Sequence, residues 1–278
     1  MPTATAAPTD LKSLTKRMRV DIIRMIEAAG NGHPGGSLSI IDILAVLYWK
    51  FIKHDPMKPD WEGRDRFILS KGHACPALYA VMAHRGYFSA ADLLTLRKLG
   101  SPLQGHPDRL RLPGIEFSTG SLGQGLSVGV GMACAAKLDK QDWKTVVVLG
   151  DGEMQEGQCW EAFMSAPKFK LDNLIAIVDF NNGQIDGPVN EVMDLEPLAD
   201  KLKTFNWEVQ AVDGHDLAAV EKALAQSWAA KDGKPQVIVA KTVKGKGVSF
   251  MENNIAWHGN APKKEDADKA VREIENGR

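Results

Sequence analysis

Cysteine is scarce in this 278-residue chain: Cys75, Cys134 and Cys159 are too few and too widely spaced for a disulfide framework or a Cys-x-x-Cys metal site. A reducing, cytoplasmic compartment suits that composition. An excess of charge of either sign is also missing. Lysine plus arginine (34) nearly balances aspartate plus glutamate (35), and the net charge of -1 leaves no broad basic face for nucleic acid or an anionic membrane. Any anion must therefore be held locally. The most apolar later stretch, residues 38–49, is interrupted by Ser39 and Asp42, so no run is fit to span a bilayer. The first ten residues, mostly Ala, Pro and Thr, have neither the basic nor the apolar region of an export signal. Repeats are absent too, and a chain of this length can bury roughly 75% of the surface its unfolded form exposes. One large domain is expected over residues 10–262, between a flexible leader at 1–9 and a charged tail or helix at 263–278.

What is present is periodic. Leu11, Leu14, Met18, Ile22, Met25 and Ile26 recur at three- and four-residue steps until Gly30-Asn31-Gly32 stops them, which predicts an amphipathic helix. A second helix is expected over residues 40–51. Pro56 and Pro59 then force a connector before the apolar run Phe67-Ile68-Leu69, a candidate buried strand. Four β-branched-rich runs, 145–149, 174–178, 207–212 and 236–240, alternate with helical patterns beginning near Gly157, Glu196 and Leu217. Such alternation predicts an α/β fold: a doubly wound, mainly parallel sheet with helices on both faces. Residues 121–138 are rich in Gly and Ala. There Gly125, Gly129 and Ala133 fall on one helical stripe that lets another backbone come close, either inside the chain's own fold or at a cofactor or subunit contact.

In a doubly wound fold, ligands gather at the carboxyl ends of strands, where helix N-termini turn backbone N–H groups toward phosphate. The run Val146-Val147-Val148-Leu149 leads into Gly150-Asp151-Gly152 at such an end. The glycines permit close backbone approach to an oxyanion, and the carboxylate offers the hard oxygen that Mg²⁺ prefers. Alone, the tripeptide is an ordinary turn. The neighbouring strand expected at 173–179 adds weight, because it runs into Asn181-Asn182-Gly183 and brings a second oxygen-bearing side chain to the same sheet edge. Octahedral Mg²⁺ could take Asp151, Asn181, a carbonyl near Gly183, two diphosphate oxygens and a water. Competing phosphate motifs fail. Gly152 and Gly157 have the spacing of a P-loop, but Gln158-Cys159 stand where Lys-Ser/Thr belongs; Gly120, Gly123 and Gly125 are not in dinucleotide-binding order. Lys244-Gly245-Lys246-Gly247 reads as a flexible solvated loop rather than a phosphate contact.

His33, His73, His106 and His258 sit in loops flanked by Gly or Pro, where function concentrates. Their spacing is not that of a zinc site, so if they meet they would donate hydrogen bonds or shuttle protons near neutral pH. Taken singly, each reads as structural, and His54, His84 and His215 read as surface or capping residues.

Six segments together resemble the amino-terminal part of transketolase, in order and over nearly the whole chain. They are Gly32-His33-Pro34-Gly35-Gly36, residues 64–74 (Arg-Asp-Arg-Phe-Ile-Leu-Ser-Lys-Gly-His-Ala), Gly105-His106-Pro107, residues 118–125 (Ser-Thr-Gly-Ser-Leu-Gly-Gln-Gly), residues 150–157 (Gly-Asp-Gly-Glu-Met-Gln-Glu-Gly) and Trp257-His258-Gly259. The resemblance implies a thiamine-diphosphate-binding fold in which Asp151, Asn181 and the Gly183 carbonyl hold Mg²⁺, or Ca²⁺ or Mn²⁺ in its place. It puts Gly152, Glu153, Asn181 and His73 beside the diphosphate and Gly120, Leu122 and Ile185 against the thiamine rings. It also implies that His33, His106 and His258 surround a sugar or sugar-phosphate substrate, with Glu156 at the subunit contact between active sites. The implied reaction is transfer of a two-carbon ketol from a ketose to an aldose. Transketolases continue into a pyrimidine-binding domain, which supplies the glutamate that activates the aminopyrimidine, and into a third domain. The resemblance therefore implies a separate partner subunit carrying both, as in split transketolases, in a heterotetramer, and a nearly inactive lone chain. Ser121 stands where many full-length relatives have Pro.

Other thiamine-diphosphate enzymes, the α-subunit of a 2-oxo acid dehydrogenase or a deoxyxylulose-phosphate synthase relative, would share the Asp151 and Asn181 module. The histidine loops argue against both. A non-catalytic chain that only binds partners or cofactor is a third reading, against which the full set of histidines and metal ligands speaks.

Overall fold

The computed structural model describes residues 10–277, so the leader read at 1–9 lies outside them. Helix α1 (Leu11–Ala29) opens where the Asp10 carboxylate accepts from Lys12 N and closes on Gly30 in the left-handed conformation, φ 70°. Its periodic apolar residues are buried. Helix α2 (Pro34–Val46) starts at Pro34 rather than at Ile40. Proline at the first helical position is pre-set in φ and gives up a donor that would find no partner there, which carries the helix through Gly35 and Gly36 despite their poor propensity. Every residue of α2 is buried, and a π-turn, Leu47–Phe51, prolongs it.

The chain then alternates. Strand β1 (Arg66–Leu69) is followed by α3 (Cys75–Arg85) and α4 (Gln124–Leu138), then β2 (Thr145–Gly150), α5 (Gly157–Lys168) and β3 (Leu174–Phe180). A small hairpin, β4 (Gly183–Gln184) and β5 (Gly187–Pro188), precedes α6 (Val189–Val192) and α7 (Leu198–Thr204). Strand β6 (Glu208–Asp213), α8 (Leu217–Ala229), β7 (Gln236–Lys241) and α9 (Lys264–Glu275) complete it.

The five long strands form one parallel sheet in the order β1-β2-β3-β7-β6. Alternate side chains divide the core in two. Val146, Val148, Ile175, Ile177 and Ile238 pack with α1, α2, α3, α8 and α9, while Val147, Leu149, Ala176, Val178 and Val237 pack with α4, α5 and α7. Burial on both faces is why β2 and β3 read as unbroken apolar runs. The sheet is thus the doubly wound architecture that the alternation implies. Among the described residues, no helix is long and apolar enough to cross a membrane.

The small-residue stripe serves packing within the chain. A Cβ on Gly129 would lie 2.5 Å from Val147 Cγ2, and one on Gly125 would strike Ser70. Gly131, by contrast, has nothing within 4 Å of its Cβ position. Gly129→Val should therefore cost about 1–3 kcal/mol by forcing α4 off the sheet, whereas Gly131→Ala should gain up to about 1 kcal/mol from helix propensity. Denaturant unfolding of the two variants checks this: equal and small effects would show that α4 is not held against β2.

Candidate functional site

Strand register builds the centre of the site. Gly150, the last residue of β2, lies opposite Asp179 on β3, so the residues just beyond, Asp151 and Asn181, emerge side by side at the sheet's carboxyl edge. Asp151 is 1% exposed, and its carboxylate accepts from Gly152 N at 2.8 Å and from Asn182 N. Burial, seconded by the charge of Asp179, pushes its pKa up to about 6. Asn181 turns its amide oxygen toward Gly183 N at 3.0 Å and its NH₂ toward Asp179 at 2.9 Å. The 3₁₀ turn Gly152–Gln155 follows Asp151 directly. There Glu153 is buried and accepts from Gly123 N and Gly150 N, each at 3.0 Å, and from Ser70 Oγ; burial raises its pKa.

Two lysines offset this buried negative charge. Lys71 pairs with Asp179 and donates to the Gly36 carbonyl at 3.1 Å. Lys244 is 2% exposed and donates to the Gly183 carbonyl at 2.8 Å. Burial, then the charge of Lys71, brings its pKa down to about 8.

The four loop histidines meet. His33 precedes α2, His73 lies in the 3₁₀ turn Gly72–Ala74, and His258 caps the 3₁₀ turn Ile255–Trp257. The ring of His33 lies 5.2 Å from that of His73, 5.6 Å from that of His258 and 6.5 Å from that of His106, and His73 stacks on His258 at 5.2 Å. Desolvation first, then neighbouring cations, lowers the pKa of His33 to about 4 and of His258 to about 3. His73 goes down well below its usual value for the same reasons, and the exposed His106 is lowered as well. At neutral pH these rings are uncharged, each with one N–H donor and one acceptor nitrogen.

A cavity of about 450 Å³ joins the strand ends to the histidines. His33, His73, His106, His258, Gly120, Leu122, Asp151, Gly152, Glu153, Glu156, Asn181, Gly183 and Ile185 all border it. The donor set fits a hard divalent cation with diphosphate: a carboxylate, an amide oxygen and a carbonyl converge, with an ammonium alongside. Around the same cavity, His33 Nδ1, His258 Nδ1 and Gln184 Oε1 are buried polar atoms without a partner among the described residues, the signature of a place where a ligand completes the hydrogen bonding. Small residues leave the room. Gly120 holds φ at 142°, and a Cβ there would meet the His106 ring at 3.1 Å; one on Gly152 would meet Gln184 Cβ at 2.9 Å.

Several residues differ from their reading in sequence. Lys244 is a buried wall of the cavity rather than part of a solvated loop, because β7 delivers it directly to the site and Gly183 O takes its ammonium. His215 is neither surface nor cap: Nδ1 meets Asp42 at 2.8 Å and Nε2 accepts from Val243 N at 2.9 Å. His54 is half-buried and stacked on Tyr87, and His84 pairs with Asp21 at 2.7 Å. Asp179, Lys71 and Gln184 carry no sequence reading of their own. Their only signal is position: Asp179 precedes Asn181 by two residues, and Lys71 sits inside the Ser-Lys-Gly-His run.

A family described as "Transketolase, thiamine diphosphate binding domain" matches residues 11–275. Over 266 residues the chain is 46% identical to the 6-deoxy-6-sulfo-D-fructose transketolase subunit SqwG of Clostridium sp. (strain MSTE9), covering 96% of each. It is 43% identical to an apulose-4-phosphate transketolase subunit of Phocaeicola vulgatus, covering 95% of this chain and 93% of that one. Among solved structures, transketolase from Leishmania mexicana superposes with a TM-score of 0.90 at 33% identity, over 96% of this chain and 41% of that one. The match to human transketolase, 41% identical, likewise covers 95% of this chain and 42% of the relative, so the chain spans about two fifths of such full-length proteins.

The depressed histidines set an acid limit on stability. Unfolding releases rings that take up protons near pH 6.5, whereas folded His33 resists protonation down to about 4 and His258 down to about 3. The unfolded chain then binds more protons, so stability falls as pH drops from about 6.5 toward 4. Thermal midpoints across that range should fall less steeply in the His33→Asn/His258→Asn variant than in the wild type. Parallel slopes would place the acid sensitivity elsewhere.

Proposed function

Because the chain belongs to the transketolase family and matches its thiamine diphosphate-binding domain, we propose that it is the diphosphate- and Mg²⁺-binding subunit of a two-chain transketolase. It would transfer a two-carbon ketol unit from a ketose, or ketose phosphate, to an aldose or its phosphate. The observation that carries the reading is the convergence of Asp151, Asn181, the Gly183 carbonyl and four uncharged histidines on one cavity. That histidine set favours transketolase chemistry over the 2-oxo acid dehydrogenase and deoxyxylulose-phosphate synthase alternatives. The relatives matched end to end are themselves named as subunits, which supports a partner chain. In this reading the partner brings the pyrimidine-binding and C-terminal domains, the assembly is a heterotetramer, and its work is cytoplasmic sugar-phosphate metabolism of the pentose phosphate type.

Asp151, Asn181 and the Gly183 carbonyl would hold Mg²⁺, with Ca²⁺ or Mn²⁺ as substitutes. Gly152, Glu153 and His73 lie beside the diphosphate, with Lys244 adding a cation on the same side. Gly120, Leu122 and Ile185 line the rings, and Glu156 stands at the subunit contact. Bound thiamine diphosphate supplies the electron sink for breaking and making the carbon–carbon bond. His33, His106 and His258 orient the sugar through its hydroxyls. As neutral imidazoles they can give a proton at one nitrogen and take one at the other without a charged ring to desolvate. The deep placement of Asp151 would shield its carboxylate, as a cation ligand, from bulk water.

Asp151→Ala removes the anionic ligand. The Mg²⁺-dependent affinity for thiamine diphosphate should fall tenfold or more, read by calorimetry, and unchanged affinity would remove Asp151 from the metal site. Ketol transfer between sugar phosphates should appear only when this chain, a partner chain with the remaining domains, Mg²⁺ and thiamine diphosphate are combined, and should vanish on chelation. Full turnover by the purified single chain would overturn the two-chain reading.

A further inference from the structure

If Asn181 is a metal ligand, something must keep its amide oxygen, rather than its nitrogen, turned into the site. The two orientations of a primary amide have nearly the same shape, so only hydrogen-bond partners can choose between them. Asp179 is fully buried, and its carboxylate faces donors on every side. Oδ2 accepts from Asn181 Nδ2 at 2.9 Å, from Ser39 Oγ at 2.6 Å and from Lys71 Nζ, while Oδ1 accepts from Thr242 Oγ1.

We propose that Asp179 is a positioning residue that locks the Asn181 amide with its oxygen toward the cation. A carboxylate paired with an ammonium can only accept, so it demands the NH₂ of Asn181. Flipping the amide would set Oδ1 against the carboxylate and the NH₂ against Gly183 N–H, which now donates to Oδ1 at 3.0 Å. Two favourable contacts would become two repulsive ones. The same NH₂ would then occupy the metal's coordination position, where it has no lone pair to offer. Lys71 extends the lock: its ammonium also donates to Gly36 O at 3.1 Å, so the start of α2, which follows His33, is tied to the orientation of Asn181.

The inference rests on Asn181 being a metal ligand, and the test separates the two ideas. In the enzyme assembled from this chain and its partner subunit, the Mg²⁺ concentration giving half-saturation of thiamine diphosphate binding is measured for wild type, Asp179→Asn, Asn181→Asp and the exchange Asp179→Asn/Asn181→Asp. Asp179→Asn should raise that concentration about 10- to 100-fold, the usual cost of losing an outer-shell partner. Asp at 181 presents oxygen whichever way it turns and so has no orientation to lose. The exchange should therefore recover at least tenfold relative to Asp179→Asn, while Asn181→Asp alone gains little over wild type.

Both Asp179→Asn arms lack the ion pair with Lys71 equally, and Asn181→Asp in the wild-type background subtracts the effect of the added ligand charge, so the coupling between the two positions reports the lock. If Asn181→Asp changes Mg²⁺ affinity by the same factor in both backgrounds, there is no coupling and the lock is refuted. A wild-type chain whose cofactor binding ignores Mg²⁺ would instead refute the metal reading on which the lock rests. Should Asp179→Asn fail to fold because Lys71 is left as a lone buried cation, Asp179→Asn/Lys71→Met replaces it in the cycle, with the same pattern expected.

Discussion

Asp179 and Lys71 form an ion pair with almost no solvent contact, at the point where the carboxyl ends of β1 and β3 and the start of α2 come together. Charges so deep are tolerable only when paired and fully hydrogen-bonded. The consequence is that Ser39, Thr242, Asn181 and the Gly36 carbonyl are all committed to one geometry. Removing either charge leaves an uncompensated group in the interior. That geometry is set by parallel strands ending level with one another, Gly150 beside Asp179 beside Ala240.

Around that hub the electrostatics divide by role. Asp151 and Glu153 are buried acids held among backbone N–H donors, with Lys244 close enough to Asp151 to temper its charge. The histidines are driven the other way, toward neutrality, because desolvation and the charges of Lys71 and Lys244 oppose a further cation. One side of the cavity suits a cation and an anionic diphosphate. The other suits hydroxyl groups that exchange protons. Burial contributes most to both properties and the two lysines add to it, and neither lysine stands out by residue type alone.

Local patterns make much of this legible. Unbroken β-branched runs such as Val146-Val147-Val148-Leu149 can be buried on both faces only in a covered parallel sheet, and Gly150-Asp151-Gly152 at the end of one run points to the strand-end crevice. Asn181 is legible for the same reason, since the next strand has to end beside the first. Lys244 and His215 mislead because Gly-rich flanks signal loops, and loops are usually solvated. Here β7 ends at the site, so Lys244 just after it turns inward and Nζ finds the Gly183 carbonyl, while His215, just after β6, bridges Asp42 and Val243 N.

The amino-acid sequence by itself determined the fold class, the strand that carries Asp151, the neighbouring Asn181 and the four histidine loops, because each is encoded in residues close together along the chain. Only the tertiary structure decided that those loops meet within 5.2 to 6.5 Å, that Asp179 and Lys71 neutralise each other, and that Lys244 faces the Gly183 carbonyl. These contacts join residues 40 to 225 positions apart, from His33 with His73 to His33 with His258. No local spacing records such distances; they are set by how helices of particular length return the chain to a shared sheet edge.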